Sequence, residues 1–117
     1  MHNVDRGKKG EDQAVDNLKS IGMEIIARNY RSKFGEVDII ALDGKTVVFA
    51  EVKAWSAYGL DDLQYSIDAR KQQKIIKTAK YFLFENRKYS NMPIRFDVIF
   101  VKNNIINHLA SAFTERV

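Results

Sequence analysis

The sequence predicts an α/β fold, a mixed sheet flanked by helices on both faces. Two long segments, about Arg6 to Ser20 and Ser66 to Arg87, carry apolar residues at helical spacing. β-Branched apolar runs lie between and after them and read as strands. The central runs are apolar on both faces, as strands covered from two sides must be. The expected order is αβββαββ, in one domain spanning residues 1–117.

Each element has its own signal. Glu11, Ala14, Val15, Leu18 and Ile21 keep the helical repeat, and Gly22 supplies a stop. Met23 to Asn29 is a short apolar run and reads as a strand. Glu36 to Leu42 and Lys45 to Ala54 read as two more, joined at Asp43-Gly44, a strong hairpin dipeptide. Ala57 to Leu63 reads as a loop. Ser66 is the expected N-cap of the second helix, with Asp68 as its first-turn acid. Asn91-Met92-Pro93 breaks the chain, Arg95 to Lys102 is a strand, Asn103-Asn104 a turn, and Ile105 to Leu109 a short last strand.

Composition narrows the functional classes. The 117 residues are 45% hydrophobic and 29% charged, ordinary values for a globular chain, so a disordered or fibrous one is excluded. The absence of cysteine excludes a disulfide scaffold, a thiolate zinc site and a cysteine nucleophile. No apolar run approaches the roughly 18 residues of a membrane span, and the first residues have no apolar leader core. The expectation is a cytoplasmic protein without a membrane partner. A net charge of +4 is compatible with nucleic acid without being diagnostic of it.

The hairpin concentrates charge in an apolar setting. With Asp43 and Gly44 as the turn, Leu42 pairs with Lys45, Ile40 with Val47, Asp38 with Phe49 and Glu36 with Glu51. Alternation then puts Glu36, Asp38, Ile40 and Leu42 on one face with Val47, Phe49, Glu51 and Lys53. Val37, Ile39, Ala41, Val48, Ala50 and Val52 take the other. Asp38 and Glu51 become diagonal neighbours, roughly 7–8 Å apart at the backbone. Two such carboxylates repel unless a cation sits between them or their pKa values shift. Mg²⁺, a hard ion that prefers oxygen ligands, is the natural partner. An exposed face carrying a Glu–Lys pair is the plain alternative; against it, charges inside a buried sheet need a reason.

Other polar residues fall on apolar stripes. Glu11 lies in the middle of the stripe of Ala14, Val15 and Leu18, aimed at the sheet; a first-turn acid favoured by the helix dipole accounts for it equally well. Gln72 lies at the N-terminal end of the stripe of Ile75, Ile76, Ala79, Phe82 and Leu83, a place also open to any stripe-edge polar residue. On the opposite side of that helix Arg70, Lys74 and Lys77 line up, suited to phosphates or simply to water, with Lys71 between the two faces. Trp55 and Tyr58, just beyond Lys53, could stack on bases or pack. His2 and His108 have no ligand spacing, and neither a Ser-His-Asp set nor a phosphate-binding glycine loop is present.

An acid on the first helix, then Gly35-Glu36-Val37-Asp38, then Glu51-Val52-Lys53 on the paired strand resembles the PD-(D/E)xK nuclease superfamily, whose restriction-endonuclease-like fold has an αβββαβ core. The run from RGKKGEDQAVDNLKS to VVFAEVKA, with SIDARKQQKIIKTAKYFL, RFDVIFV and INHLASAF, is similar to the YraN-like family, related to archaeal Holliday junction resolvases. The likeness covers nearly the whole chain. It implies an endonuclease that cuts phosphodiester bonds in branched or structured DNA and leaves a 5′-phosphate. Asp38, Glu51 and the Val52 carbonyl would hold Mg²⁺ or Mn²⁺, with Glu11 as an outer ligand or water holder. Lys53 would be the catalytic lysine, and Gln72 resembles the glutamine of resolvase-like and RecB-like nucleases. Arg70, Lys71, Lys74 and Trp55 are the candidates for nucleic-acid contact. Where the family often has Thr-Arg after the acid-x-Lys, this chain has Ala54-Trp55, which removes one phosphate contact.

Two rivals share the fold: a nucleic-acid-binding protein that does not cut, and a nuclease subunit that needs a partner chain. A chain this small has little surface for base readout, so shape recognition is expected. A two-fold branched substrate would suit a C2 homodimer.

Overall fold

The computed structural model describes residues 3–54 and 67–115. Helix α1 (Asn3–Ser20) leads into strands β1 (Glu24–Ser32), β2 (Gly35–Asp43) and β3 (Thr46–Ala54). Helix α2 (Ala69–Glu85) follows, then a 3-10 turn (Arg87–Tyr89) and strands β4 (Ile94–Lys102) and β5 (Ile105–Phe113). The five strands form one sheet in chain order. β3 and β4 are parallel and the other neighbours antiparallel. Only a parallel pair needs a crossover, and α2 lies in it. The result is the expected mixed α/β sheet, compatible with a restriction-endonuclease-like core.

Alternation along β3 builds the two apolar layers. Val48 and Ala50 meet Ala14, Val15 and Leu18 of α1, with Ile39, Ala41, Ile99 and Val101. Val47 and Phe49 meet Ile75, Ile76, Ala79 and Phe82 of α2, with Ile40, Phe96, Val98 and Phe100. Each fully buried Leu, Ile or Phe here contributes about 1.5–3 kcal/mol. The stop after α1 is as expected: Met23 N–H bonds the Leu18 carbonyl and Gly22 N–H that of Lys19, each at 3.0 Å, a closing pair of bonds after a helix.

Several boundaries differ from the sequence expectation. α1 starts at Asn3 rather than Arg6. β1 runs on to Ser32, past a bulge between Ile25 and Ala27 and a left-handed Asn29 (φ 53°). These irregularities hide its alternation from sequence. α2 starts at Ala69, capped by Asp68, whose side chain accepts Lys71 N–H at 2.8 Å; the expected cap, Ser66, lies outside the described residues, as does the expected loop at Ala57 to Leu63. The helix ends at Glu85, because Asn86 leaves helical geometry and bonds the Phe82 carbonyl through its side chain. β5 extends four residues further, to Phe113. A left-handed Ser111 (φ 52°) bends it around Asp97, which takes the Ser111 N–H at 3.0 Å.

The hairpin register is also corrected. Asp43 pairs with Thr46, so Gly44 and Lys45 form the two-residue turn, with Gly44 in the left-handed region at φ 61°. Asp43 is not spent in the turn, since its carboxylate takes the Arg95 guanidinium at 2.9 Å. Ile40 now pairs with Phe49 instead of Val47. A shift of two keeps the faces of β3 while changing partners. The face assignment fails at one place: Val37 packs in the α2 layer with Ile40, not with Ile39 and Ala41. β2 turns there because it is leaving β3.

Candidate active site

The β2–β3 ladder ends at Ile39 and Ala50. β2 remains paired with β1 as far as Gly35, and β3 remains paired with β4 as far as Ala54. The two central strands therefore part like a wedge at the end of the sheet away from Gly44. Continued by one residue, the observed register would set Asp38 directly opposite Glu51, closer than the diagonal expected from sequence. Instead of a ladder bond, the Asp38 carboxylate fills the gap, and its Oδ2 accepts the Val52 N–H at 2.8 Å.

Glu51 points to the α2 side and is 8% exposed. Lys71, at the first turn of α2, holds its Nζ 3.6 Å from Glu51 Oε1. Glu51 Oε2 is buried and has no hydrogen-bond partner. Lys53 is half-buried, two residues along β3. The electrostatics follow from this crowding. Burial, and then the nearby Asp38 charge, push Glu51 up to about 7, and a side-chain hydrogen bond with Asp38 adds to this, while Lys71 and Lys53 pull it back. Asp38 is raised as well, by burial first; the Val52 N–H opposes this, and Glu11 and Glu36 add to it. A buried and a half-buried acid side by side, with raised pKa values and one oxygen without a hydrogen bond, are chemically suited to a shared cation or a shared proton.

Glu11 approaches from α1 but is already engaged. Its Oε1 accepts Asn29 Nδ2 at 2.9 Å and Arg28 Nε at 3.2 Å, and Arg28 also reaches Asp12 at 2.6 Å. The left-handed Asn29 serves this contact. Among the described residues no group of three or more His, Asp or Glu side chains is close enough to hold a metal ion. The structure thus brings Asp38 and Glu51 together, with Lys53 and Lys71, and leaves Glu11 tied to β1. Val52 contributes its N–H to Asp38. Gln72 is half-buried at the start of α2 and donates from Nε2 to the Ile67 carbonyl at 3.0 Å. Arg70, Lys74 and Lys77 are exposed on α2, and Trp55 lies outside the described residues.

Sequence reasoning placed Lys71 among the nucleic-acid contacts and missed it as the partner of Glu51. Its position between the helix faces was the available signal, because the first turn of α2 rests over the end of β3. It also missed Asp97, 1% exposed, which holds Arg95 at 2.9 and 3.0 Å, His108 at 2.7 Å and Ser111 N–H at 3.0 Å. His108 serves the fold here as a partner of a buried acid. Burial opposes the Asp97 charge, but His108 and Arg95 outweigh it and leave the pKa lowered.

Fold and site together define an α/β protein with two adjoining carboxylates where β2 and β3 part. The chain belongs to the uncharacterised protein family UPF0102, which matches residues 10–101. It is 45% identical to a UPF0102 protein of Persephonella marina over 92% of both chains. It is 44% identical to one of Treponema denticola over 92% of this chain and 93% of that protein. A third, from Clostridioides difficile, is 41% identical over 97% of this chain and all of its own length. No helix among the described residues is long and apolar enough to cross a membrane.

Proposed function

We propose that the protein is a metal-dependent endonuclease of the PD-(D/E)xK type, cutting phosphodiester bonds in branched or structured DNA. The observation that carries this reading is the convergence of Asp38 and Glu51 beside Lys53 and Lys71, with Glu51 Oε2 buried and unpartnered. Asp38, Glu51 and the Val52 carbonyl are the groups that would hold Mg²⁺ or Mn²⁺, with Glu11 beyond them. The ion would supply Lewis acidity and a bound water of lowered pKa. Lys71 pulls Glu51 back toward its ionised form, the form that can take a cation. Lys53, whose charge Glu51 feels, would orient a water or meet charge developing on a phosphate. Arg28 and Asn29 hold Glu11 on the α1 side of the wedge, so its part is positioning.

The test is cleavage of labelled four-way junction, flap, single-stranded and duplex DNA with Mg²⁺, Mn²⁺ or EDTA. Asp38→Asn is the informative variant, because its side-chain oxygen can still accept the Val52 N–H while the charge is lost. Cutting that needs metal and Asp38 is the expected result. Equal cutting by wild type and variant would sink the assignment.

A second reading, a nucleic-acid-binding protein or partner-dependent subunit that does not cut alone, is favoured by one observation. Glu11 is bonded to Arg28 and Asn29 and does not join a three-acid cluster. Calorimetric titration with Mg²⁺ separates the two: no heat of binding, together with DNA binding, supports the second.

A further inference from the structure

The β1–β2 connection carries an aromatic side chain that the turn does not need. Ser32 pairs with Gly35, leaving Lys33 and Phe34 as the two turn residues. Tight turns favour Gly, Asn and Asp for their backbone freedom, and Phe34 brings none of it. Phe34 is 37% exposed.

The turn is nevertheless firmly held. Ser32 Oγ accepts Phe34 N–H at 3.0 Å and shares a 2.9 Å hydrogen bond with Thr78 Oγ1 of α2. Gly35 seats the turn against the same helix, where an added Cβ would lie 3.3 Å from Lys74 Cβ. The turn that carries the ring is therefore seated against α2. Lys33 Nζ lies over it at 5.3 Å and Lys77 Nζ at 5.8 Å from the centroid. Lys74 and Arg70 continue this exposed basic face along the helix toward Lys71. Phe34 is four residues before Asp38, at most roughly 14 Å of chain.

An exposed ring on a rigid turn, ringed by ammonium groups and close to a paired-carboxylate cleft, has the composition of a base-stacking platform. Stacking tolerates any base, and lysines track the backbone. We infer that Phe34 stacks on an unpaired nucleotide while Lys33, Lys74 and Lys77 meet the adjoining phosphates, so that the DNA presented to Asp38 and Glu51 has an unpaired strand at that point. The inference rests on DNA being the substrate of that cleft and narrows which DNA it takes. A base on the ring displaces a lysine that then sits at the phosphate of the same nucleotide.

The test is fluorescence anisotropy in EDTA, with a labelled single strand, a splayed fork and a blunt duplex of the same sequence. Phe34→Leu keeps apolar bulk without a stacking face, and Phe34→Tyr restores the face. Phe34→Leu should weaken binding of the single strand and fork about ten-fold and of the duplex less than two-fold, with Phe34→Tyr near wild type. Lys77→Ala should weaken all three and flatten their salt dependence. Equal loss on all three DNAs with Phe34→Leu, or no loss, overturns the platform. Metal-dependent cutting with unchanged Phe34→Leu binding overturns the platform and leaves the nuclease standing. Selective binding without cutting by wild type does the reverse, and no binding of any DNA in EDTA overturns the platform, the nuclease being decided by cutting in Mg²⁺.

Discussion

Asp38 Oδ2 takes the Val52 N–H at 2.8 Å, one step beyond the last β2–β3 backbone pair. A side chain thus does what the ladder stops doing. This satisfies a backbone donor that would otherwise sit partly buried and unpaired. It also fixes one carboxylate within reach of Glu51. The same departure of β2 from β3 opens the sheet, so that α1 brings Glu11 and α2 brings Lys71 toward one acid.

The acid pair should make the protein less stable as pH rises. Glu51 has a folded pKa of about 7 against an ordinary 4.5, so between those values the folded state holds more protons than the unfolded. Stability should fall across that window and level off above it. Glu51→Gln removes the penalty and should be the more stable protein at pH 8, by about 2–3 kcal/mol. Urea unfolding of both proteins at pH 4.5 and pH 8 checks this. A wild type whose stability rises across the window contradicts it.

A divalent cation should reverse that penalty. Mg²⁺ at millimolar concentration is expected to raise the melting temperature of wild type at pH 8, and less at pH 5.5, where protons compete for the same oxygens. Asp38→Asn should lose most of the shift. Scanning calorimetry with Mg²⁺, and with K⁺ at matched ionic strength, separates site binding from screening. Identical shifts with both salts would mean that no site is filled.

Much of this was legible in sequence, and the limits are physical. The α/β class, both helices and the approach of Asp38 to Glu51 were readable because apolar periodicity is a strong local signal and charges stand out within it. The hairpin turn was misplaced because Asp43 is drawn to Arg95, 52 positions away, which no dipeptide preference encodes. Val37 was put on the wrong face because strict alternation assumes a strand that stays paired on both sides, and β2 does not. Lys71 was not linked to Glu51, and Glu11 not to Arg28 and Asn29, because those contacts come from packing helices on the sheet.

Lys71 should tune the cleft without being one of its acids. It opposes the rise of Glu51, so Lys71→Met should move the acid's titration upward. If the cleft cuts DNA, the rising limb of the pH–rate profile should shift to higher pH. Lys71→Arg, which keeps the charge, should leave it near wild type. Carbon-detected NMR titration of the Glu51 carboxyl reads the same shift without any substrate. An unmoved titration in Lys71→Met would mean that the 3.6 Å contact is not felt.

Asp97 is expected to be the most costly carboxylate to remove. It is 1% exposed and satisfies Arg95, His108 and the bent backbone at Ser111, so Asp97→Ala leaves the half-buried Arg95 with Asp43 alone and takes the acid from His108 and the Ser111 N–H. Losing one member of such a buried ionic group costs about 3–5 kcal/mol. The sign of its pH dependence is opposite to that of Glu51. Its folded pKa lies below the ordinary 3.8, so its contribution is complete above that value and is lost as pH falls through the folded pKa. Asp97→Asn should fall between wild type and Asp97→Ala, since an amide can still accept from Ser111 or Arg95 but carries no charge. Guanidinium unfolding at pH 7 gives the order, and repeating it at pH 3 should narrow the gap between wild type and Asp97→Asn. A gap unchanged by pH would assign the stabilisation to the shape and hydrogen bonds of the side chain rather than to its charge.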